Sequence, residues 1–319
     1  MPLSISRTRL TALLDAAGQQ QVAVVGDAML DVYLIGDVER ISPEAPVPVV
    51  RVRERRYALG GAANVAQNVC ALGARCRLVG AVGTDAGGST LRTMLEQMSV
   101  YADHLVEVER PTTSKTRVVA RAQQMVRVDE EDDSDVAPRE IARLLDAVHS
   151  AIESSDALVL EDYNKGVLVP EVIAQAIVWA RARRIPIVVD PKYRNFFAYR
   201  GATVFKPNRR ELEAALGAAI NLDEPRALPE TFARLGVDHL LLTLGERGMA
   251  LLSPDGAVLR IPTMAREVYD VVGAGDTVTA YLGAMLAAGR RVRGAAETGR
   301  ADVLTAASHR LRGATTSDN

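Results

Sequence analysis

The sequence predicts an α/β protein: a doubly wound, mainly parallel sheet flanked by helices, carrying a small β lid. Three observations predict it. Strand-length apolar runs recur along the chain, each followed by a helical stretch. Several runs are apolar throughout, as strands covered on both faces are. Polar residues gather at their C-terminal ends, where open α/β sheets bind ligands.

The elements follow in order. After a short amphipathic lead-in, Gln21-Val22-Ala23-Val24-Val25 reads as a buried parallel strand ending at Gly26-Asp27. Asp27 and Asp31 stand at its end, placed either to grip hydroxyls of a ligand or to cap the loop. Val32 to Val38 and Val47 to Glu54 are strands around a proline-rich connector, Ile41 to Pro48, that cannot be helical. They predict a lid or dimerising flap, joined by Ser114 to Ala120 and Gln124 to Val128, so that the lid spans about 32–54 and 114–128. Leu59-Gly60-Gly61-Ala62-Ala63-Asn64 opens a small-residue helix, where the glycine pair admits close backbone approach and Asn64 offers a discriminating amide.

Strand and helix then alternate. Cys76 to Val82 precedes a helix around Ser89 to Met98, and the helix Arg139 to Glu153 precedes the strand Ala157 to Leu160. The helix Pro170 to Arg183 precedes Ile187-Val188-Val189-Asp190-Pro191-Lys192; Thr203 to Lys206 leads into Pro207-Asn208-Arg209-Arg210-Glu211, and Leu240 to Thr243 runs into Leu244-Gly245-Glu246-Arg247-Gly248. Of 38 basic residues only Lys115, Lys165, Lys192 and Lys206 are lysines, and the last three fall at strand ends.

The chain is organised around Asp270-Val271-Val272-Gly273-Ala274-Gly275-Asp276-Thr277, a glycine turn opening onto the apolar run Val278 to Ala288. A helix start offers unpaired N–H groups and the positive end of the dipole to an anion. Asp276, in the first turn, is placed to take a proton from an attacking hydroxyl. An anion cradle beside a base implies phosphoryl transfer to an alcohol. An ordinary helix N-cap uses the same residue types, so the rest of the chain has to decide.

Composition removes other classes. With 319 residues, 48% hydrophobic content and 24% charge, the chain is long enough for one large α/β domain. A net charge of −2 and 4% aromatics predict no nucleic-acid partner. No apolar run approaches a membrane span, and Met1 to Gln21 lacks a signal peptide's apolar core. Cys70 and Cys76 fit a reduced, cytoplasmic protein. Gly-Lys never occurs, which excludes a P-loop; no G-x-G-x-x-G follows the first strand, and no zinc spacing is present.

Four segments together resemble the ribokinase-type carbohydrate kinase family: Gly60-Gly61-Ala62-Ala63-Asn64, Asn208-Arg209-Arg210-Glu211, Thr243-Leu244-Gly245 with Gly248, and Gly273-Ala274-Gly275-Asp276. Most such kinases carry Thr where this chain has Val271. Arg40 to Val49, Arg121-Ala122-Gln123-Gln124, Asp162-Tyr163-Asn164-Lys165-Gly166 and Glu267-Val268-Tyr269-Asp270 further resemble bacterial D-glycero-β-D-manno-heptose 7-phosphate kinases. That resemblance implies an ATP- and Mg²⁺-dependent kinase acting on the anomeric hydroxyl, on the way to ADP-heptose and lipopolysaccharide. It implies a small-molecule sugar-phosphate substrate and a homodimer formed through the lid. Some of these kinases are fused to a nucleotidyltransferase carrying H-x-G-H; none of the four histidines is so paired, which predicts a kinase alone.

By matched position, Asp276 is the base, and the amides of Gly273, Ala274, Gly275 and Asp276 form the anion hole. Asn208, Arg209, Arg210 and Glu211 face the nucleotide phosphates, with Glu211 toward Mg²⁺ through water, while Thr243, Gly245 and Gly248 border the nucleotide. Asp27, Asp31, Gly60, Gly61, Asn64 and Asp190 hold the sugar. Arg121, Lys165 and Lys192 are the cations expected to meet the acceptor's own phosphate. Past Ala288 the resemblance fails, and residues 289–319 read as a divergent tail after a kinase domain spanning 1–288. Two other readings remain: a kinase of this type for another sugar or a nucleoside, and a non-catalytic sugar-phosphate sensor.

Overall fold

The computed structural model describes residues 7–121, 123–223, 228–262 and 273–291. Strand β1 (Gln21–Gly26) is buried along its whole length, as its unbroken apolar run requires. It pairs in parallel with β4 (Arg75–Gly83) on one side and β8 (Ala157–Glu161) on the other. The strands β5 (Tyr101–Val108), β9 (Ile187–Asp190), β10 (Val204–Phe205) and β11 (His239–Thr243) extend this parallel sheet. An antiparallel hairpin, β12 (Met249–Leu252) and β13 (Val258–Ile261), closes one edge. The order is β13-β12-β11-β10-β9-β8-β1-β4-β5. Winding therefore reverses between β1 and β8, the place where such sheets open a crevice at their C-terminal ends.

Alternation along β1 divides the core. Val22 and Val24 face a cluster with α1 (Arg7–Ala17), α2 (Ala62–Ala71), α3 (Ala86–Gln97) and α8 (Ala274–Arg291). Ala23 and Val25 face the cluster with α4 (Pro138–Glu153), α5 (Pro170–Ala182), α6 (Arg209–Leu216) and α7 (Leu228–Leu235). Proline opens both α4 and α5, where its missing N–H costs nothing. Helix α8 is apolar all round because α1 and α2 cover it while β1, β8 and β9 lie beneath it.

The lid is a second sheet, in the order β3-β2-β6-β7. It joins β2 (Ala28–Ile41), β3 (Pro48–Gly61), β6 (Ser114–Ala120) and β7 (Gln123–Glu130). The first two strands are longer than the sequence indicated. β2 begins and β3 ends inside the body, so Asp31 lies on a lid strand and Gly60-Gly61 ends one. The edge strands β5, β12 and β13 and the helices α6 and α7 escaped the sequence reading, since short or half-exposed elements carry weak periodicity. Residues 263–272 and 292–319 lie outside the described residues, and with them Glu267 to Val272 and nearly all of the expected tail; α8 itself continues to Arg291. No helix among the described residues is long and apolar enough to cross a membrane.

Helix α8 sits on the sheet at Gly283, where an added Cβ would fall 2.8 Å from Val159 Cγ2 and 3.5 Å from Val22 Cγ1. Gly283→Ala is therefore expected to destabilise the fold by roughly 1–3 kcal/mol through overpacking. Urea unfolding at matched m-value checks this; a variant as stable as the parent would show that the helix can shift at little cost.

Candidate active site

The first turn of α8 points at the β1–β8 crevice. Gly273 has φ +81°, and a Cβ there would meet Asn64 Nδ2 at 2.9 Å, so the turn needs glycine twice over. The amides of Ala274, Gly275 and Asp276 come before the first intrahelical bond among the described residues, Thr277 N–H to the Gly273 carbonyl at 3.0 Å. They form a cluster of donors at the positive end of the dipole.

Asp276 is only 5% exposed. Its Oδ2 accepts from Asn64 Nδ2 at 2.8 Å, and its Oδ1 accepts from the Tyr163 hydroxyl at 2.9 Å. Burial raises its pKa above the ordinary Asp value; the bonds from Asn64 and Tyr163 work against that rise, and Asp190 adds to it. Burial and the surrounding carboxylates push the Tyr163 hydroxyl up, so it stays a donor. A carboxylate with one bond at each oxygen keeps lone pairs for a third donor, such as a reacting hydroxyl.

Asp276 lines a pocket of about 260 Å³ with Asp31, Tyr33, Gly60, Gly61, Asn64, Lys115, Arg117, Tyr163 and Gly273. Gly61, at φ +54°, turns β3 into α2; a Cβ would lie 2.3 Å from the Asp27 carbonyl. Asp31, Gly60, Gly61 and Asn64 thus meet at Asp276, 212 residues on from Asn64.

Asp27 does not. Its carboxylate is turned inward, accepting from the amides of Tyr163 (2.7 Å), Lys165 (3.0 Å) and Val167 (3.2 Å). Burial pushes its pKa up to about 6, against those three amides. Of the two roles open in the sequence, loop capping is the one taken: Asp27 fixes the loop that presents Tyr163. Lys165 also turns away, pairing with Glu131 at 2.9 Å and with Asp133. Arg121 sits at the far β6–β7 turn, donating to the Val38 carbonyl at 3.2 Å.

Below the turn lie three buried carboxylates, Glu161, Asp190 and Asp276, with ligand atoms within 4.8 Å of one another. Lys206 Nζ holds Asp190 Oδ2 at 2.6 Å and would lie 3.6 Å from a Cβ on Gly275. Both Glu161 oxygens lack a hydrogen-bond partner among the described residues. Burial, then Asp190 and Asp276, raise the Glu161 pKa well above the ordinary range. So Asp190 sits with Lys206 beside the Gly275 turn and does not line the pocket under the lid.

On that side Asn208 and Glu211 form a capping box at the start of α6, Asn208 Oδ1 accepting from Glu211 N at 2.9 Å and Glu211 Oε2 from Asn208 N at 2.8 Å. Lys192 Nζ neutralises Glu211 at 2.7 Å and lies 5.2 Å from the Tyr163 ring centroid. Burial opposes the Lys192 charge, but Asp190 and Glu211 outweigh it and raise the pKa. Thr243 bridges to Asn208, followed by the Gly245–Arg247 turn and Gly248. Arg209 pairs with Glu213 at 2.8 Å, and Arg210 is exposed. A larger cleft, about 390 Å³, lies beside that turn, lined by Arg209, Leu244, Arg247, Met249 and Arg260.

A family model described as pfkB family carbohydrate kinase matches residues 19–314. The chain is a pfkB family carbohydrate kinase. It is 46% identical over 283 residues to bifunctional protein HldE of Rhodospirillum rubrum, covering 88% of this chain and 57% of that one. The HldE of Geobacter sulfurreducens is 44% identical over 288 residues, covering 89% and 59%. This carbohydrate kinase thus spans less than three-fifths of these curated relatives. Its fold matches Arabidopsis thaliana ribokinase complexed with ribose and ATP (TM-score 0.67, 19% identity, 92% of this chain and 93% of that). It also matches the tetrameric inhibited form of Escherichia coli phosphofructokinase-2 (TM-score 0.68, 20% identity, 93% and 99%). The doubly wound sheet expected from the sequence is thus the ribokinase-like fold, and the enzyme is a phosphotransferase with an alcohol acceptor.

Sequence reasoning gave no site role to Tyr163, Glu161, Tyr33, Lys115 or Arg117. Lys115 and Arg117 alternate along β6 and so share one face, a period-2 signal that was available.

Asp276→Asn is expected to lower the kinase's kcat by roughly 10²–10⁴, the loss for a general base. In the parent, kcat/KM should fall as pH drops through the raised Asp276 pKa, because the protonated carboxyl no longer accepts. The acid limb is then centred above the ordinary Asp value of 3.8. Steady-state profiles of parent and variant check both; an unchanged kcat would remove Asp276 from the chemistry.

Proposed function

We propose that this kinase transfers the γ-phosphoryl group of ATP to the anomeric hydroxyl of D-glycero-β-D-manno-heptose 7-phosphate, giving the 1,7-bisphosphate. The observation that carries the transfer step is Asp276, joined to Asn64 and Tyr163 in a pocket beside the amides of the first turn of α8. The acceptor rests on the segments Arg40 to Val49 and Asp162 to Gly166, which resemble heptose 7-phosphate kinases, and on likeness to proteins named HldE.

In this reading Asp31, Asn64, Gly60 and Gly61 orient the sugar so that one hydroxyl meets Asp276. Asp276 takes its proton as the oxygen attacks, and Tyr163 holds the carboxylate in place. The amides of Ala274 to Asp276 and Lys206 meet the charge on the transferring phosphoryl group. Asn208, Thr243, Gly245 and Gly248 border the nucleotide at the ends of β10 and β11, with Arg209 and Arg210 at the start of α6. The hard oxygens of Glu161 and Asp190, two of them unpartnered among the described residues, suit Mg²⁺, with Glu211 acting through water. Bound there, the ion would neutralise phosphate charge. The Asp276 oxygens face the acceptor side.

The lid supports a homodimer. Its outer face carries Val126 and Val128, each 50% exposed, and Tyr57, 38% exposed, a patch that a second copy would cover.

Coupled ADP release over a panel of heptose 7-phosphate, fructose 1-phosphate, ribose and adenosine tests the function. The heptose phosphate should have the highest kcat/KM, with ³¹P NMR showing an anomeric phosphate. Preference for another acceptor would replace the substrate, and binding without turnover would favour a sensor. Light scattering should give twice the 34.3 kDa chain mass; a monomer would remove the lid interface.

A further inference from the structure

The lid has two unlike faces. On the inner one, strand register sets Tyr33 of β2 opposite Arg56 of β3 and Arg117 of β6. Both guanidiniums lie over that single ring, Arg56 Cζ at 4.9 Å and Arg117 Cζ at 5.4 Å from its centroid. One ring rewards two cations, but the cations repel each other. Asp31 answers Arg117 at 2.6 Å. Among the described residues no carboxylate pairs with Arg56 or with Lys115, whose ammonium lies 5.8 Å from the Tyr163 ring centroid. The acid opposite Lys115, Asp129, is already held by both arms of Arg127 at 2.9 Å. The inner face thus carries more positive than negative charge where it lines the pocket.

The spacing is directional. Asp31 and Lys115 form the row nearer Asp276, and Tyr33 with its two arginines forms the next row, two residues or about 7 Å further out. A sugar whose reacting hydroxyl meets Asp276 would extend its opposite end toward that outer row. A guanidinium pair is the geometry that receives a phosphate through paired N–H donors.

We propose that Arg56 and Arg117, with Lys115 on the near side, bind the phosphate monoester that the acceptor carries on its end remote from the reacting hydroxyl. This rests on the reading of the enzyme as a sugar-phosphate kinase, and it moves phosphate recognition from the body to the lid. Arg121, Lys165 and Lys192, the cations first expected there, are engaged elsewhere.

The test compares parent, Arg56→Gln, Arg56→Lys and Arg117→Gln on heptose 7-phosphate and on the same heptose without its phosphate, with inorganic phosphate as competitor. Each Gln variant should lower kcat/KM for the phosphorylated acceptor by about 10–10²-fold more than for the plain sugar, the scale of one charge-assisted bond. Inorganic phosphate should inhibit the parent competitively and the Gln variants far less, and Arg56→Lys should restore part of the loss. Arg56 is exposed, so its variants report on binding even if Arg117→Gln unfolds. Equal losses on both acceptors, or unchanged inhibition by phosphate, would overturn the proposal. If the parent prefers another phosphorylated sugar with the same arginine dependence, the subsite stands and only the heptose assignment falls.

Discussion

A carboxylate kept out of water at the start of a buried helix governs the architecture. Asp276 would be costly to ionise alone at that depth. Asn64 and Tyr163 make its charge tolerable, and each is fixed by other parts of the chain. Asn64 comes from the helix that Gly61 starts by its left-handed turn. Tyr163 comes from a loop whose amides are gathered on Asp27. Remote segments are thus tied to one group, and the glycine at 273 exists because Asn64 must come that close.

The charge distribution divides labour around this point. Toward the sheet, Glu161 and Asp190 face Lys206, with Lys192 and Glu211 paired nearby. That is a set of opposed charges in a dry setting, suited to a polyanion and its counter-ion. Toward the lid, the balance is cationic and organised by one aromatic ring. Asp276 stands between the two, where donor and acceptor chemistry must meet.

Much of this was legible in the sequence. The parallel sheet showed because its strands are unbroken apolar runs, and the helix start showed because Gly-Ala-Gly-Asp has few structural uses at the head of so apolar a helix. Asn64, Gly60 and Gly61 were legible for similar reasons. Asp27 was not, because a carboxylate at a strand end looks the same whether it meets a ligand or three amides. The lid cations were missed for another reason. Lysines at strand ends in the body drew the eye, whereas Lys115 and Arg117 gain meaning only from the partner strands that set Arg56 and Tyr33 beside them. Pairing across a sheet is a non-local fact that no single window holds.

Finally, β2 and β3 run without interruption by loop from the pocket to the lid tip, fourteen residues each, an extended length on the order of 45 Å. Asp31 and Gly60 lie close to the base of this ribbon, next to the pocket. The irregularities at Ile35/Gly36 and Val38/Arg40 divide the arm into a stiff inner part and a more twisted outer part. The outer part and the floor of the Asp276 pocket are thus built from the same two strands, so a contact made at the lid tip is joined to that floor by unbroken β-ribbon.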